Sequence, residues 1–312
     1  MIPVVIGITF LVFMIMQLAP GDPVQMILGD NASPEAVEAM RDEMGLNDNV
    51  LIQYGRYLVN LAQGDMGTSY VNKRPVADEV FSRVPATFKL AAVAAVVSIV
   101  IAIPLGILAA IKQNTLFDHS SMVVSLIGIS MPAFWLALLL LMVFSVWLGW
   151  FPIGLSVPIG AAADSVTVLE RLHHAVLPAL TLSITGVSSI ALHTREKMVD
   201  VLESDYVLFA RARGERLHAI VLRHGLRNVA LPAITLQFAS VSEIIGGSVL
   251  VEQVFSYPGL GQAAVNAGLG SDLPLLLGIT VITAAIVFAG NLAADLLYGV
   301  VDPKIRRGAA RR

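Results

Sequence analysis

The chain contains no cysteine. That removes disulfides, thiolate metal sites and cysteine nucleophiles, and leaves the compartment open. Charge is scarce as well: 14% of the 312 residues are Asp, Glu, Lys or Arg, against 56% hydrophobic. Soluble domains carry about 25% charged and about 45–50% apolar residues, so the composition is that of an integral membrane protein. Gly-x4-Gly-Lys-Ser/Thr is absent, and Gly-Lys occurs nowhere; nucleotide, if used, is bound by another chain. Neither His-Glu-x-x-His nor Gly-x-Ser-x-Gly is present, which excludes the intramembrane enzymes built on them. With a net charge of -3, no nucleic-acid partner is expected, and the chain reads as a non-enzyme.

Six apolar segments are present, at about 2–19, 87–111, 120–148, 174–194, 228–255 and 273–301, each near the roughly 20 residues a span needs. Met131-Pro132 and Pro104-Leu105-Gly106 are candidate kinks. The first run has neither a basic flank nor a small-residue cleavage site, so it reads as a retained helix. It is short for a span, and the expectation is that the natural start lies upstream. The expected fold is all-α, with six transmembrane helices.

Lys and Arg set the orientation. One side holds Lys112, the 195–227 region and the tail from Lys304 to Arg312, thirteen of the twenty basic residues. That side is expected to be cytoplasmic, with both termini. Residues 20–86 are then an extracytoplasmic cap, with ten acidic residues against five basic ones. Ser33-Pro34-Glu35-Ala36 predicts a capped helix start. Val37, Met40 and Met44 give that helix an apolar face, and a second helix is expected over Val50 to Leu61. The expected division is 1–19 first helix, 20–86 cap, 87–301 membrane core and 302–312 basic tail. No separate soluble domain, internal repeat or low-complexity tract stands out.

The segment Asp205 to Pro232 is a charged island between apolar runs. Arg211, Arg213, Arg216, Arg223 and Arg227 surround a single Gly214. Gly214 predicts a break between two short helices, and Tyr206, Phe209, Ala210, Leu217, Ile220 and Val221 are expected to share an apolar side. Such a piece presses an apolar knob ringed by arginines into a groove on a soluble partner. The alternative is an interfacial helix that snorkels its arginines to anionic lipid. Composition alone does not choose between them.

The order of residues resembles the cytoplasmic "EAA" loop of ABC-importer permeases. That loop's Gly is Gly214, and its distant Leu-Pro is Leu231-Pro232. Ala210-Arg211-Ala212-Arg213-Gly214 and Leu226-Arg227-Asn228 are similar to the peptide/nickel branch. Leu208 stands where the loop's acidic residue is usual. Further motifs follow in order along the chain: Pro20–Pro23, Gly64–Ser69, Ser130–Trp135, Tyr257–Gly261, Asp295–Tyr298 and Asp302–Arg306.

The resemblance implies the type I ABC importer permease fold in a bacterial cytoplasmic (inner) membrane. It implies a second homologous permease, two ATP-binding subunits and an extracytoplasmic substrate-binding protein as partners. ATP and Mg are then bound by the ATPase subunits, and this chain has no cofactor of its own. The residues carried over for ATPase coupling, within a loop over 200–227 and just beyond, are Asp205, Tyr206, Phe209, Ala210, Arg211, Arg213, Gly214, Glu215, Arg216, Arg227, Asn228 and Pro232.

Glu243 falls inside the fifth apolar run. A carboxylate there costs about 2.5–3.5 kcal/mol at mid-bilayer, so it faces either the bundle interior or water. Glu243, with Ser240 and His193, is a candidate for the translocation pathway. A structural hydrogen-bonding role is the alternative, with Gly246-Gly247 allowing close packing. Asn291 and Asp295 read as structural. His193 and Glu196 close the fourth run, and Glu252 lies at the outer end of the fifth. His173-His174 lacks the three or four convergent ligands a metal needs, so no metal site is expected.

For cargo, Ser242–Gly247 and Pro132–Ala137 are similar to the nickel side of the branch, and an intramembrane carboxylate suits a cation. The reading leans to nickel or a metal chelate. The alternative is a di-/oligopeptide or glutathione-like importer. A secondary transporter without an ATPase is the competitor from another class. Internal repeats, broken helices and intramembrane charge pairs are expected of that class, and that pattern is not seen in the sequence.

Overall fold

The computed structural model describes residues 2–18, 23–29, 32–161 and 166–301. Pro20–Asp22 of the first motif and the tail 302–312 lie outside the described residues. Within them the chain is helical, and a single bridge between Thr68 and Pro75 is the only β pairing. Three helices are long and apolar enough to cross a membrane: Val76–Ile111, Val168–Leu202 and Leu273–Leu296. Two bent helix pairs and the shorter apolar helix Ile2–Leu18 accompany them. The chain divides into two compact units, 1–88 with 256–288, and 89–255 with 289–312.

In the first unit, α1 (Ile2–Leu18) is followed by α2 (Pro23–Leu28), α3 (Pro34–Glu43) and α4 (Val50–Ala62). Ser33 caps α3 as the sequence predicts: its hydroxyl accepts from the Ala36 N–H at 3.2 Å, with Pro34 at the first helical position. Val37, Met40 and Arg41 are its half-buried residues, and Met44 at the C-cap is half-buried too. Tyr54 fastens α4 to α1. Its ring packs on Phe10 and Phe13, its hydroxyl donates to the Ile6 carbonyl at 2.8 Å, and Thr9 Oγ1 lies 3.0 Å away.

The long helix α5 (Val76–Ile111) overturns one expectation, the kink. It runs unbroken across residues 86 and 87, and Pro104-Leu105-Gly106 does not interrupt it. At 1.5 Å per residue its 36 residues reach about 54 Å. That exceeds the roughly 30 Å hydrocarbon core, so the polar turn with Asp78, Glu79 and Arg83 extends beyond the apolar window. Gly106 serves close packing instead of a kink. A Cβ there would lie 2.6 Å from the Ala191 carbonyl oxygen and 2.7 Å from Thr194 Cβ.

The first unit closes with the residues that begin α13 and α14. α13 (Leu260–Leu269) and the start of α14 (Leu273–Val301) pack Leu260, Ala263, Ala267, Leu275 and Ile279 against Val76 and Val80. The Thr87 hydroxyl accepts from the Leu260 N–H at 2.8 Å, which gives the Tyr257–Gly261 motif a structural task. The Gly64–Ser69 motif folds as a tight turn, in which Asp65 Oδ1 accepts from Gly67 N–H at 2.7 Å. Ser69 then donates to Asp272, and the Tyr70 and Val71 N–H groups bond the same carboxylate at 3.1 and 3.2 Å. Asp272 also accepts from Leu275 N–H at 3.3 Å, in the first turn of α14. Burial, with the Asp272 charge nearby, pushes the Tyr70 phenol above its ordinary value.

In the second unit, α6 (Leu116–Ser130) and α7 (Ala133–Leu140), which runs on into a π-turn at Leu141–Trp147, meet at 111°. The segment expected as one span over 120–148 is therefore a broken one. Pro132 causes the break: it has no N–H, and the Met131 backbone before it is extended. α8 (Val168–Leu202) starts on a capping box between Thr167 and Glu170. Beyond α8 come α9 (Asp205–Ala212) and α10 (Leu217–Ile220). α11 (Leu226–Ala239) and α12 (Val241–Val254) follow. α11 and α12 are bent by 54° at Ser240, so the expected fifth span over 228–255 is broken too.

Candidate functional site

Gly214 breaks the charged island where expected, and the backbone shows how. The Gly214 N–H bonds the Arg211 carbonyl at 2.9 Å, and the Glu215 N–H bonds the Ala210 carbonyl at 3.1 Å. These are the two bonds of a Schellman cap, which requires a left-handed residue at that place. Gly214 supplies it at φ +85°. The second helix differs from expectation. It is not short: from Leu217 it continues through a π-turn at Val221–Gly225 into α11, ending at Ala239. Leu231-Pro232 therefore lies inside a helix.

The apolar side expected for this segment is split in two. Ala210, Ile220 and Val221 are buried, whereas Tyr206, Phe209 and Leu217 are exposed. Val207, which the expectation left out, is fully buried and packs with Ala210, Ile220 and Val201 of α8. The reason is geometric. Residues 206–210 are apolar all round, so 207 and 210, three apart, share one face; their small side chains fit against the end of α8. The larger ones remain outside, with Phe209 67% and Leu208 64% exposed. Leu208 thus belongs to the exposed knob.

Arg211, Arg213, Arg216, Arg223 and Arg227 are all exposed, as is Asp205 at the start of α9. Glu215 is held back. Arg213 Nη2 lies 3.3 Å from its Oε1, and His224 Nε2 lies 3.5 Å from its Oε2, an ion pair when His224 is protonated. Asn228 Nδ2 donates to the His224 carbonyl at 2.7 Å and to Tyr206 Oη at 3.5 Å. This ties α9 to the start of α11. Pro232 is exposed on the same helix.

Glu243, expected near the middle of a span, sits in the first turn of α12, just past the bend. It is exposed and shares a stripe with exposed Gly246, Leu250 and Gln253, at i+3, i+7 and i+10. Among the described residues it has no ion-pair partner. Ser240 forms the bend itself: its hydroxyl donates to the Gln237 carbonyl at 2.9 Å and accepts from Gln237 Nε2 at 3.3 Å. His193 is exposed on α8, with Nδ1 3.0 Å from the Ser189 carbonyl. Among the described residues no hydrogen bond joins these three. Asn291 accepts from Ser242 Oγ at 2.8 Å, a structural contact as expected.

The histidine pair does not converge. His173 Nε2 meets the Trp150 carbonyl and His174 Nδ1 the Gly154 carbonyl, each at 3.0 Å. Among the described residues no three His, Asp or Glu side chains come together as metal ligands.

Sequence reasoning missed a buried ion pair of the second unit. Asp118, 1% exposed, takes Arg195 in a fork, with Nη2–Oδ2 at 2.7 Å and Nε–Oδ1 at 2.5 Å. The partners are 77 residues apart, and no local pattern signals such a pairing. Asp272 was missed for the same reason: its partners lie about 200 residues away.

Comparison with known proteins agrees with this architecture. Residues 102–307 match the family described as "Binding-protein-dependent transport system inner membrane component". Residues 1–91 match its N-terminal companion. The oligopeptide transport system permease protein AppB of Bacillus subtilis is 41% identical over 97% of this chain and 96% of its own length. The dipeptide transport system permease protein DppB of Alkalihalophilus pseudofirmus is 36% identical over 98% and 96%. The glutathione transport system permease protein GsiC of Escherichia coli is 37% identical over the same shares. With its apolar helices and these matches across nearly its whole length, the chain belongs to the binding-protein-dependent inner-membrane permeases, a multi-pass family of ABC importers.

Proposed function

We propose that this chain forms half of the translocation pathway of an ATP-driven importer of small peptides, beside a second homologous permease. Two ATP-binding subunits, carrying ATP and Mg, dock on the cytoplasmic side, and a substrate-binding protein delivers cargo from outside. The observation that carries the coupling role is the exposed Leu208–Phe209 knob on a helix whose other face is buried against α8, in a segment whose five arginines are all exposed. Exposed apolar patches rimmed by polar residues mark protein interfaces. Tyr206, Phe209, Arg211, Arg213 and Arg216 meet the ATPase. Gly214 and Ala210 set the shape of the helix, and Asp205, Glu215, Arg227, Asn228 and Pro232 flank it.

Peptide is favoured over nickel because relatives alike over nearly their full length are named for oligopeptide, dipeptide and glutathione transport. Glu243 keeps its place in the reading without the metal. A carboxylate on an exposed stripe of an apolar helix is costly against lipid, so the stripe with Ser240 faces the pathway, and His193 lines its inner mouth. The ammonium of a peptide suits that carboxylate as a metal cation does.

The test is uptake into proteoliposomes holding the assembled importer with its binding protein. Radiolabelled di- and oligopeptides should accumulate with ATP, and nickel–histidine should not. ATP-dependent nickel accumulation without peptide uptake refutes the cargo assignment. Peptide uptake that persists without ATP refutes the energy source.

A further inference from the structure

The helix that carries the coupling segment is bolted at a second point that no sequence motif marks. Resting on the coupling role proposed above, we infer that the Asp118–Arg195 fork is a positioning pair, which makes the α5–α6 turn move together with the coupling helix α9.

One carboxylate gathers three pieces of chain. Asp118 stands in the first turn of α6 and receives the Arg195 fork from α8. Its Oδ2 also accepts the Asn114 N–H at 2.9 Å, from the turn between α5 and α6. Asn114 adopts φ +61°, a left-handed position that fixes this turn. Two parallel hydrogen bonds define an angle as well as a distance, so the fork resists both sliding and rotation of α8 against α6.

The same side of α8 continues toward the coupling segment. Three residues past Arg195, Met198 is fully buried with Ala110 of α5 and with Val221 and Val229. Its side chain also fills the space a Cβ at Gly225 would occupy, at 2.7 Å. Six residues past Arg195, Val201 packs on Val207 and Ala210 of α9. From fork to coupling helix is about 9 Å along α8 at 1.5 Å per residue. Buried contacts at Met198 and Val201 fill that distance, so a push on α9 reaches the α5–α6 turn.

A role in transmission is separable from a role in folding. A buried ion pair replaced by apolar side chains of similar volume is often neutral for stability, but it loses the directional fork. The test uses the complete importer in proteoliposomes, comparing Asp118→Leu/Arg195→Met with wild type. The double variant should assemble in normal amount, while peptide transported per ATP hydrolysed falls at least about fivefold, the low end of a typical coupling energy. Arg195→Lys, which keeps the charge and loses the fork, should fall between. A wild-type ratio in the double variant overturns the inference. Phe209→Arg, run in parallel, separates the two readings. If it abolishes coupling while the fork variants do not, the docking role stands and the fork role fails. If it too leaves the ratio unchanged, the docking role fails.

Should the double variant not assemble, spin labels decide. The chain has no cysteine, so Leu116→Cys on α6 and Glu203→Cys at the end of α8 label two places only. Their distance in the assembled importer should be the same without nucleotide and with ATP trapped on hydrolysis-deficient ATPases. A distance that changes between the two states overturns the rigid link.

Discussion

Gly214 offers a graded test of how the coupling segment is held. Its Cβ position is open, with nothing within 4 Å, so a substituted side chain clashes with no neighbour. The cost comes from the backbone alone. At φ +85° an ordinary L-residue is strained by about 1–2 kcal/mol, and Asn or Asp by less, because their short polar side chains bond locally. A variant escapes the strain only by leaving the left-handed region, which breaks the Gly214–Arg211 and Glu215–Ala210 hydrogen bonds, worth about 0.5–1.5 kcal/mol each. The last turn of α9 then frays, and with it the Phe209 and Arg213 positions.

If docking needs a preformed α9, the loss appears in ATPase affinity. Gly214→Val should weaken docking by about 1–2 kcal/mol, which at 1.4 kcal/mol per tenfold is roughly 5–30-fold in Kd. Gly214→Ala should be intermediate and Gly214→Asn near wild type. The assay is binding of labelled ATPase subunit to the permease pair in nanodiscs, with far-UV circular dichroism confirming that the membrane helices persist. Wild-type affinity for Gly214→Val refutes the reasoning. So does an Asn variant as weak as the Val variant, since that would place the requirement in side-chain space, which is open.

Asp272→Ala removes acceptors for Ser69, Tyr70, Val71 and the first turn of α14 at once. It should lower stability by at least about 2 kcal/mol, read as an earlier thermal aggregation midpoint, with Asp272→Asn in between; an unchanged midpoint refutes the latch. Gly106→Leu drives a side chain into the Ala191 carbonyl and Thr194. It should cost about 1–3 kcal/mol and reduce the yield of folded protein in detergent; a normal yield would show that α5 and α8 are not closely apposed there. Glu243→Gln should slow uptake of a peptide with a free α-amino group about fivefold, the equivalent of about 1 kcal/mol for an exposed ion pair. The N-acetylated peptide should be spared, and equal effects on both would mean that Glu243 is structural.

Much of the architecture was legible because apolar runs and helix breakers are local signals. Ser33-Pro34 marked the start of α3, and Gly214 marked the end of α9, since caps are written in adjacent residues. Pro132 announced a break but not its 111°, which depends on what the two halves pack against. Pro104 announced a break that does not occur. A membrane helix tolerates proline where neighbours hold it, and α8 lies against that stretch of α5 through Gly106. The 206–210 run was recognised as apolar, yet which side faces in was not readable. Five consecutive positions without a polar residue carry no phase, and only the end of α8 selects Val207 and Ala210.

Cargo is the least legible property for a related reason. The motifs that identify the family fix turns, caps and the docking helix: Gly67 and Ser69 build a loop, Tyr257–Gly261 begins α13, and Ala210–Gly214 ends α9. All of these tasks are the same whatever is transported. A residue that met cargo would have to be exposed on an apolar helix and free of internal partners, and such a residue leaves no mark in periodicity or spacing. Among the described residues Glu243 satisfies both conditions. Its charge suits a cation, but a peptide ammonium and a metal ion present the same sign. Separating them needs ligand groups that converge on one point, and among the described residues no such cluster surrounds Glu243. A lone carboxylate can hold an ammonium by one contact, whereas a bare metal ion needs several.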